Sequence, residues 1–134
     1  MDCYCCAKAT YANCCEPFIM GFKKPKTALQ LMQSRYTAFC IYDYDYLKKT
    51  VTGKAKLINI SSLHTHKWIK LDIINTTNGR EKDVTGTVQF NAFFKEELQS
   101  KTHFCLSETS QFKKINNLWF YTDGNATVTS IPTQ

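Results

Sequence analysis

The strongest helical pattern in the chain lies between Thr27 and Thr50. Apolar side chains recur there every three or four residues, which places them on one stripe of a helix. The stripe consists of Leu29, Met32, Tyr36, Phe39 and Cys40. An apolar stripe needs a second layer to cover it, so this helix is predicted to pack against a sheet formed by the rest of the chain.

Capping residues indicate where this helix and a shorter one begin. Thr27 followed by Gln30 forms a capping box, and we predict that the first helix begins near Ala28. Asp43 can cap a second helix, Tyr44 to Lys49, whose terminal lysines suit the negative end of the helix dipole.

The chain after Thr50 is typical of strands, apart from Lys56 to Leu63, which fits a third short helix. Antiparallel strands are predicted over Trp68 to Ile74, Val84 to Phe94, His103 to Phe112, Asn117 to Asp123 and Ala126 to Ile131. In the first strand, Ile69, Leu71 and Ile73 share one face, and a turn at Asp123-Gly124-Asn125 separates the last two strands. The fold class is therefore α+β.

One carboxylate lies on the inward face of a predicted strand. Glu108 alternates in register with Phe104, Leu106, Ser110 and Phe112. An unpaired buried carboxylate costs several kcal/mol, so Glu108 is expected to have a partner. We predict that Arg35 pairs with it, with Tyr36 and Ser110 completing the hydrogen bonds. Such a pair is either a structural element or the polar floor of a pocket.

Composition places the chain among soluble globular domains. Its 134 residues are 43% hydrophobic and carry a formal net charge of +6. The N-terminus has no basic segment followed by an apolar run, and no window approaches ~18 consecutive apolar residues. We therefore expect a cytoplasmic protein with no membrane partner. The scattered lysines keep a protein soluble and leave an acidic or RNA partner open, whereas DNA is not expected.

Five of the seven cysteines lie within the first fifteen residues. In a chain without an export signal, clustered cysteines hold metal more often than they form disulfides. Cys3 with Cys5, and Cys14 with Cys15, can supply four thiolates to a closed tetrahedral site, for which Zn²⁺ is the expected ion. Cys6 is an extra thiol that can compete for the metal. The alternative is a tail of free or oxidised cysteines.

The cysteine spacing, Cys-x-Cys, eight residues and then Cys-Cys, resembles the SEC-C zinc motif found at the C-terminus of the SecA ATPase. It departs from that motif at Tyr4, Cys6 and Ala7, where the motif usually has Pro-Cys-Gly-Ser around the first arm. A basic hinge follows from Met20 to Lys26, broken by glycine and proline. We predict a zinc-binding head over residues 1–20 and an α+β domain over residues 21–134.

A second resemblance covers nearly the whole chain. Leu31 to Phe39, followed by Asp45-Tyr46-Leu47, resembles the signature of the YchJ-like family of uncharacterised bacterial proteins. The similarity continues through Trp68, Glu108, Ser110, Phe112 and the segment Trp119 to Gly124. It implies a cone-shaped domain similar to nuclear transport factor 2 (NTF2-like), in which helices pack into a curved antiparallel sheet. It implies no known reaction.

Two functions of different classes are compatible with these features. The first is a zinc-binding interaction or adaptor module that docks on a protein or ribonucleoprotein partner. The alternative is a small-molecule binder, or an isomerase, dehydratase or hydrolase, that uses the cavity of the cone. Its candidate pocket residues are Arg35, Tyr36, Trp68, Glu108, Ser110, Trp119 and Tyr121.

The histidines and the interior of the cone distinguish these functions. His64, His66 and His103 are interpreted as surface residues, so an enzyme would lack a histidine beside a carboxylate. A packed interior would favour the adaptor. An open cavity with a polar floor around Glu108 would favour the binder or enzyme.

Overall fold

Four antiparallel strands in the order β1-β2-β3-β4 form a single sheet, and the helices precede it in the chain. The computed structural model describes residues 2–5, 8–57 and 66–132. Within these residues the helices are α1 (Glu16–Ile19), α2 (Ala28–Cys40) and α3 (Tyr44–Lys49), and the strands are β1 (Lys67–Asn78), β2 (Thr85–Lys95), β3 (Thr102–Ile115) and β4 (Leu118–Pro132). Short 3₁₀ turns occupy Tyr11–Asn13 and Gly53–Leu57. None of the described helices has the length and apolar character needed to cross a bilayer.

The predicted starts of α2 and α3 are confirmed. The hydroxyl oxygen of Thr27 accepts a hydrogen bond from the Gln30 backbone N–H at 3.1 Å. The Gln30 side chain accepts from the Lys26 N–H at 2.7 Å, so the reciprocal bond of the capping box is displaced by one residue. Asp43 caps α3 by accepting from the Tyr46 N–H at 3.1 Å. Local capping chemistry thus defines both helix starts.

Helix α2 is buried on two faces. Met32 and Tyr36, from the predicted stripe, face the sheet, where the ring of Tyr36 lies 5.9 Å from that of Trp68. A second face is fully buried and consists of Leu31, Ser34, Thr37 and Ala38. The N-terminal segment and α3 cover it, since Cys3 Sγ lies 3.8 Å from Thr37 Oγ1 and Ser34 shares a 2.7 Å hydrogen bond with Tyr46. The helix therefore lies between the cysteine segment and the sheet.

Strands β2 and β3 alternate as predicted. The inward residues of β2 are Val88, Phe90, Ala92 and Phe94, all of them buried. On β3 they pair with Ser110, Glu108, Leu106 and Phe104. Glu108 therefore faces the helices, which confirms its inward orientation.

In β1 the predicted inward face was wrong at one position. A register shift between Trp68 and Lys70 makes Ile69 an extra residue, and Ile69 is 48% exposed. Trp68, Leu71 and Ile73 instead pair with the inward residues of β2. A bulge interrupts the two-residue period that the prediction assumed.

The predicted turn at residues 123–125 was also wrong. Leu118–Pro132 is one continuous strand, in which Gly124 pairs with Ser110 and Asn125 with Thr109. Glycine and asparagine favour turns, but long pairing with β3 overrides that local preference here. Of the third predicted helix, residues 56 and 57 are described, and they belong to a 3₁₀ turn. Residues 58–65, and with them His64, lie outside the described residues, as does Cys6.

Two glycines allow the β1–β2 connection to lie against the start of α2. A Cβ on Gly86 would lie 2.4 Å from the Cα of Gly79, and one on Gly79 would lie 2.7 Å from the Cβ of Ala28. The Ala28 N–H also donates to the Gly79 carbonyl at 2.9 Å. The absence of side chains at residues 79 and 86 therefore permits this close packing.

We expect Gly86→Ala to lower the free energy of unfolding by about 1–3 kcal/mol, because the added methyl group overpacks the contact with Gly79. Urea denaturation measures the loss. Thr87→Ala, on the opposite face of the same strand, is the control and should change stability by about 0.5 kcal/mol or less. Equal losses in the two variants would contradict the close approach of the glycines.

Candidate functional site

Four cysteine sulfurs converge at the N-terminal end of the chain. The Sγ atoms of Cys3, Cys5, Cys14 and Cys15 all lie within 4.8 Å of one another. Cys5 Sγ is 3.6 Å from Cys14 Sγ, which is 3.9 Å from Cys15 Sγ. Sulfurs placed ~2.3 Å from a tetrahedral metal ion lie about 3.8 Å apart. The spacing therefore brings together the four predicted ligands at distances that suit a tetrahedral site.

Short-range backbone contacts position the two cysteine arms. The Cys3 N–H donates to the Ala9 carbonyl at 2.8 Å, and Asp2 forms an antiparallel bridge with Thr10. These contacts fold the first arm back on the loop. Cys14 and Cys15 then connect the first 3₁₀ turn to α1, and the Cys15 carbonyl accepts from the Ile19 N–H at 3.0 Å.

Burial and crowding make free thiolates unfavourable in this cluster. Cys3, Cys5 and Cys15 are at most 4% exposed. Desolvation, together with neighbouring Cys5, raises the pKa of Cys14 to about 12. Proximity to Cys5 and burial raise the pKa of Cys15 still further above its ordinary value. Because a bound cation neutralises neighbouring thiolates, this donor set suits a thiophilic divalent metal ion.

A cavity of about 280 Å³ lies between α2 and the inward face of the sheet. Most of its wall is apolar, with aromatic surface from Tyr36, Phe39, Trp68, Phe90 and Phe94. Arg35, Glu108, Ser110 and Tyr121 contribute polar atoms. The interior of the domain is therefore an open cavity with a polar floor around Glu108.

Glu108 accepts its hydrogen bonds from hydroxyl groups. Ser110 Oγ donates to Glu108 Oε2 in a short contact, and Tyr121 Oη donates to the same oxygen at 2.9 Å. Burial, followed by the nearby carboxylate, raises the pKa of Tyr121 above its ordinary value, so its hydroxyl remains a donor. A Cβ on Gly124 would lie 2.4 Å from Glu108 Oε2, so glycine at this position leaves room for the carboxylate.

Arg35 is 7% exposed and binds the end of α3. Its Nη1 donates to the Leu47 carbonyl at 2.9 Å and to Thr50 Oγ1 at 2.6 Å. The guanidinium also lies over the ring of Tyr121, 4.9 Å from the centroid. Burial lowers the pKa of Arg35 to about 10, opposed by the charges of Tyr121, Tyr46 and Glu108. The side chain is therefore protonated at neutral pH.

The predicted ion pair between Arg35 and Glu108 was wrong. Within residues 2–5, 8–57 and 66–132, the ion pairs are Lys70–Asp72 and Arg80–Asp83. Tyr121 contacts both charged groups, one through its ring and the other through its hydroxyl. Glu108 Oε2 accepts from two hydroxyl donors and Arg35 Nη1 donates to the end of α3, so the two charges border the same cavity without pairing directly.

His66 was missed as a cavity residue, because it had been interpreted as a surface histidine. It lines the cavity and stacks on Phe94, with the ring centroids 4.2 Å apart. Burial lowers the pKa of His66, so its imidazole is neutral at pH 7. In the described part of the chain, His66 Nδ1 and Trp68 Nε1 are buried and have no hydrogen-bond partner. His66 lies two residues before inward-facing Trp68, and this spacing was the sequence signal that could have placed His66 on the cavity side.

Of the seven pocket candidates, six line the cavity and Trp119 does not. The Trp119 indole N–H donates to the Lys26 carbonyl at 3.0 Å, and the side chain borders a separate groove. Lysine side chains surround this groove, namely Lys23, Lys24, Lys26 and Lys114. Trp119 therefore supports the base of a basic groove instead of the cavity.

Comparison with known families identifies the fold of this domain. The family model for the YchJ middle NTF2-like domain matches residues 27–124, from the cap of α2 into β4. The chain belongs to the YchJ-like family. A UPF0225 protein of Vibrio cholerae is 35% identical over 129 residues, covering 92% of this chain and 82% of that protein. A UPF0225 protein of Corynebacterium glutamicum is 37% identical over 123 residues, covering 92% and 95% of the respective chains.

Solved structures agree with this YchJ-like assignment. The solution structure of a SEC-C motif containing protein from Rhodopseudomonas palustris matches with a TM-score of 0.81 and 26% identity, covering 95% of this chain and 99% of that chain. The crystal structure of a SEC-C motif containing protein from Psychrobacter arcticus matches with a TM-score of 0.71 and 26% identity, covering 87% and 72%. The predicted family and the NTF2-like fold are confirmed.

Proposed function

We propose that this YchJ-like protein binds a small molecule in the cavity between α2 and the sheet. The observation that carries the proposal is the polar floor, where Arg35 and Glu108 border one cavity without pairing with each other. Buried charges in proteins are usually paired, because isolated charges are costly to remove from water. Two separately held charges in a mostly apolar cavity are typical of a site that orients a ligand.

The arrangement of polar groups favours binding over acid–base catalysis. Glu108 pairs with Phe90 in the sheet register, whereas Trp68, next to His66, pairs with Phe94. Four residues along β2 correspond to about 13 Å between backbone positions. The histidine and the carboxylate therefore lie at different ends of the cavity. We therefore propose that the chain is a binding protein. An enzyme of isomerase, dehydratase or hydrolase type that uses the same cavity is the less supported alternative.

Naphthalene is a suitable probe of the cavity, because it is flat, apolar and small. Ligand-observed NMR should detect its binding to the full chain. Ala92→Phe should abolish that binding, since Ala92 is 1% exposed and lines the cavity. Thr109→Phe is the matched control, because it adds the same ring at an exposed position of β3. Undiminished binding to the Ala92 variant would contradict the proposal.

We also propose that Cys3, Cys5, Cys14 and Cys15 bind Zn²⁺ with a structural role. Four sulfur ligands complete the coordination of zinc, so a closed set of this kind leaves no position for a reacting water molecule. The sulfur distances and burial of the cluster support this proposal. A bound ion would stabilise the packing of the N-terminal segment on α2.

A second candidate function, docking on a protein or ribonucleoprotein partner, is favoured by the basic groove. The lysines of the hinge and Lys114 place positive charge around it, and Trp119 lies at its base. Binding to a polyglutamate peptide or to oligouridine should weaken as salt rises, and Lys24→Glu should reduce it further. Salt-independent binding, or equal binding by the Lys24 variant, would exclude the groove as the docking surface.

A further inference from the structure

Arg35 has hydrogen-bond donors available to a ligand. A guanidinium carries five N–H groups, two of them on Nη1. Both Nη1 hydrogens are used by Leu47 and Thr50. The N–H groups of Nε and Nη2 have no acceptor among the described residues, although the side chain is 7% exposed and lines the cavity. A guanidinium that lines a mostly apolar cavity with N–H groups left over favours a ligand that supplies an acceptor.

Glu108 offers the complementary acceptor. Ser110 and Tyr121 both donate to Oε2. In the described part of the chain, Oε1 receives no hydrogen bond, and the Glu108 side chain lines the same cavity. The floor of the cavity therefore presents a donor over the ring of Tyr121 and an acceptor beside its hydroxyl group.

The charges of the floor determine which ligands are favoured. Arg35 and Glu108 carry opposite formal charges that sum to zero. A carboxylate ligand would be attracted by Arg35 but repelled by Glu108. An ammonium ligand would be attracted by Glu108 but repelled by Arg35. A neutral ligand with adjacent acceptor and donor groups can satisfy both side chains without adding a buried charge.

We infer that the cavity is specific for a neutral, flat and mostly apolar molecule with an amide or lactam edge. Its carbonyl oxygen accepts from Arg35, its N–H donates to Glu108, and its ring lies against the aromatic wall. This inference rests on the proposed function, since it names the ligand class of the same cavity.

A set of bicyclic probes tests the inference with the zinc-loaded full chain. We expect 2-quinolone to bind at least about tenfold more tightly than N-methyl-2-quinolone or naphthalene. N-methyl-2-quinolone has no N–H to donate to Glu108, and naphthalene lacks both the N–H and the carbonyl oxygen. Naphthoate should also bind more weakly than 2-quinolone. Equal affinities for 2-quinolone and naphthalene, or tightest binding of naphthoate, would overturn the lactam inference while leaving the cavity proposal intact. Failure of every probe to bind would contradict the proposed function itself.

Glu108→Gln provides a second test that depends on charge. Removing the negative charge should raise naphthoate affinity several-fold and reduce the advantage of 2-quinolone over its N-methyl derivative. Naphthalene binding should stay unchanged, which verifies that the variant is folded. Glu97→Gln, at an exposed position, is the control and should behave as the parent protein. Unchanged naphthoate affinity in the Glu108 variant would contradict the inference.

Discussion

Replacing Cys15 by serine is expected to remove zinc from the protein and to lower the melting temperature of the whole chain. Cys15 is 1% exposed and belongs to the same apolar core as Leu31 and Leu47. In zinc-finger peptides, structural zinc contributes about 10–16 kcal/mol of apparent binding free energy, which is coupled to folding. Metal analysis should find one zinc per chain in the parent and none in Cys15→Ser, and calorimetry should record the lower melting temperature.

Cys105→Ser is the matched control for this experiment. Cys105 is 7% exposed, lies in β3 and is not part of the four-cysteine cluster. Its replacement should leave the zinc content at one per chain. Tight zinc binding by Cys15→Ser would contradict the assignment of the metal site, and zinc loss from Cys105→Ser would show that the assay detects general destabilisation.

Zinc removal also tests how the N-terminal segment is coupled to the rest of the chain. If the predicted head over residues 1–20 folded separately from the domain over residues 21–134, chelation would leave the melting transition of that domain unchanged. The packing of Cys3 against Thr37, in the centre of α2, changes that expectation. Loss of the metal should remove cover from a fully buried face of α2, and the main transition should shift to lower temperature.

Replacing Arg35 by methionine is expected to lower the free energy of unfolding by about 2–4 kcal/mol, as measured by urea denaturation. The Leu47 carbonyl belongs to the last turn of α3, where helix carbonyls have no partner within the helix. Arg35 donates a charged hydrogen bond to that carbonyl and another to Thr50, the residue that follows the last turn of α3. The variant should therefore weaken the attachment of α3 to α2.

Double-mutant cycles distinguish this role from an ion pair with Glu108. Arg35→Met and Thr50→Ala share a hydrogen bond, so their effects should be non-additive by about 0.5–3 kcal/mol. Arg35→Met and Glu108→Gln should show coupling of no more than about 1 kcal/mol, because Tyr121 contacts both side chains but no direct bond joins them. Coupling of several kcal/mol in the second cycle would indicate a buried pair and would contradict the geometry described for Tyr121.

Features determined by local sequence could be predicted for this chain. The cap residues Thr27 and Asp43 each accept from a backbone N–H three positions away, and the helix starts they indicate are confirmed. The alternation of β3 likewise placed Glu108 on the inward face. The cysteine spacing predicted which four sulfurs meet, because two short arms separated by eight residues can close on themselves.

Features that depend on distant segments were not predictable in the same way. The acceptors of Arg35 are at the end of α3, and the return path of the chain after α2 brings them there. The bulge at Ile69 follows from pairing with β2, which strand alternation in β1 cannot reveal. Gly124 and Asn125 resemble a turn, yet pairing with β3 keeps them extended. At Ile69 and at Gly124 with Asn125, pairing within the sheet outweighed local preference.

The contact between Gly124 and Glu108 has a consequence for how sequences of this family vary. Because a Cβ at residue 124 would lie in the space of the Glu108 carboxylate, a larger residue there requires the carboxylate to move or residue 108 to be smaller. A relative with alanine or serine at the position of Gly124 should therefore have a shorter residue in place of Glu108, or the same carboxylate in another rotamer. The residue at position 124 is therefore expected to indicate whether a relative holds a carboxylate at this place in the cavity.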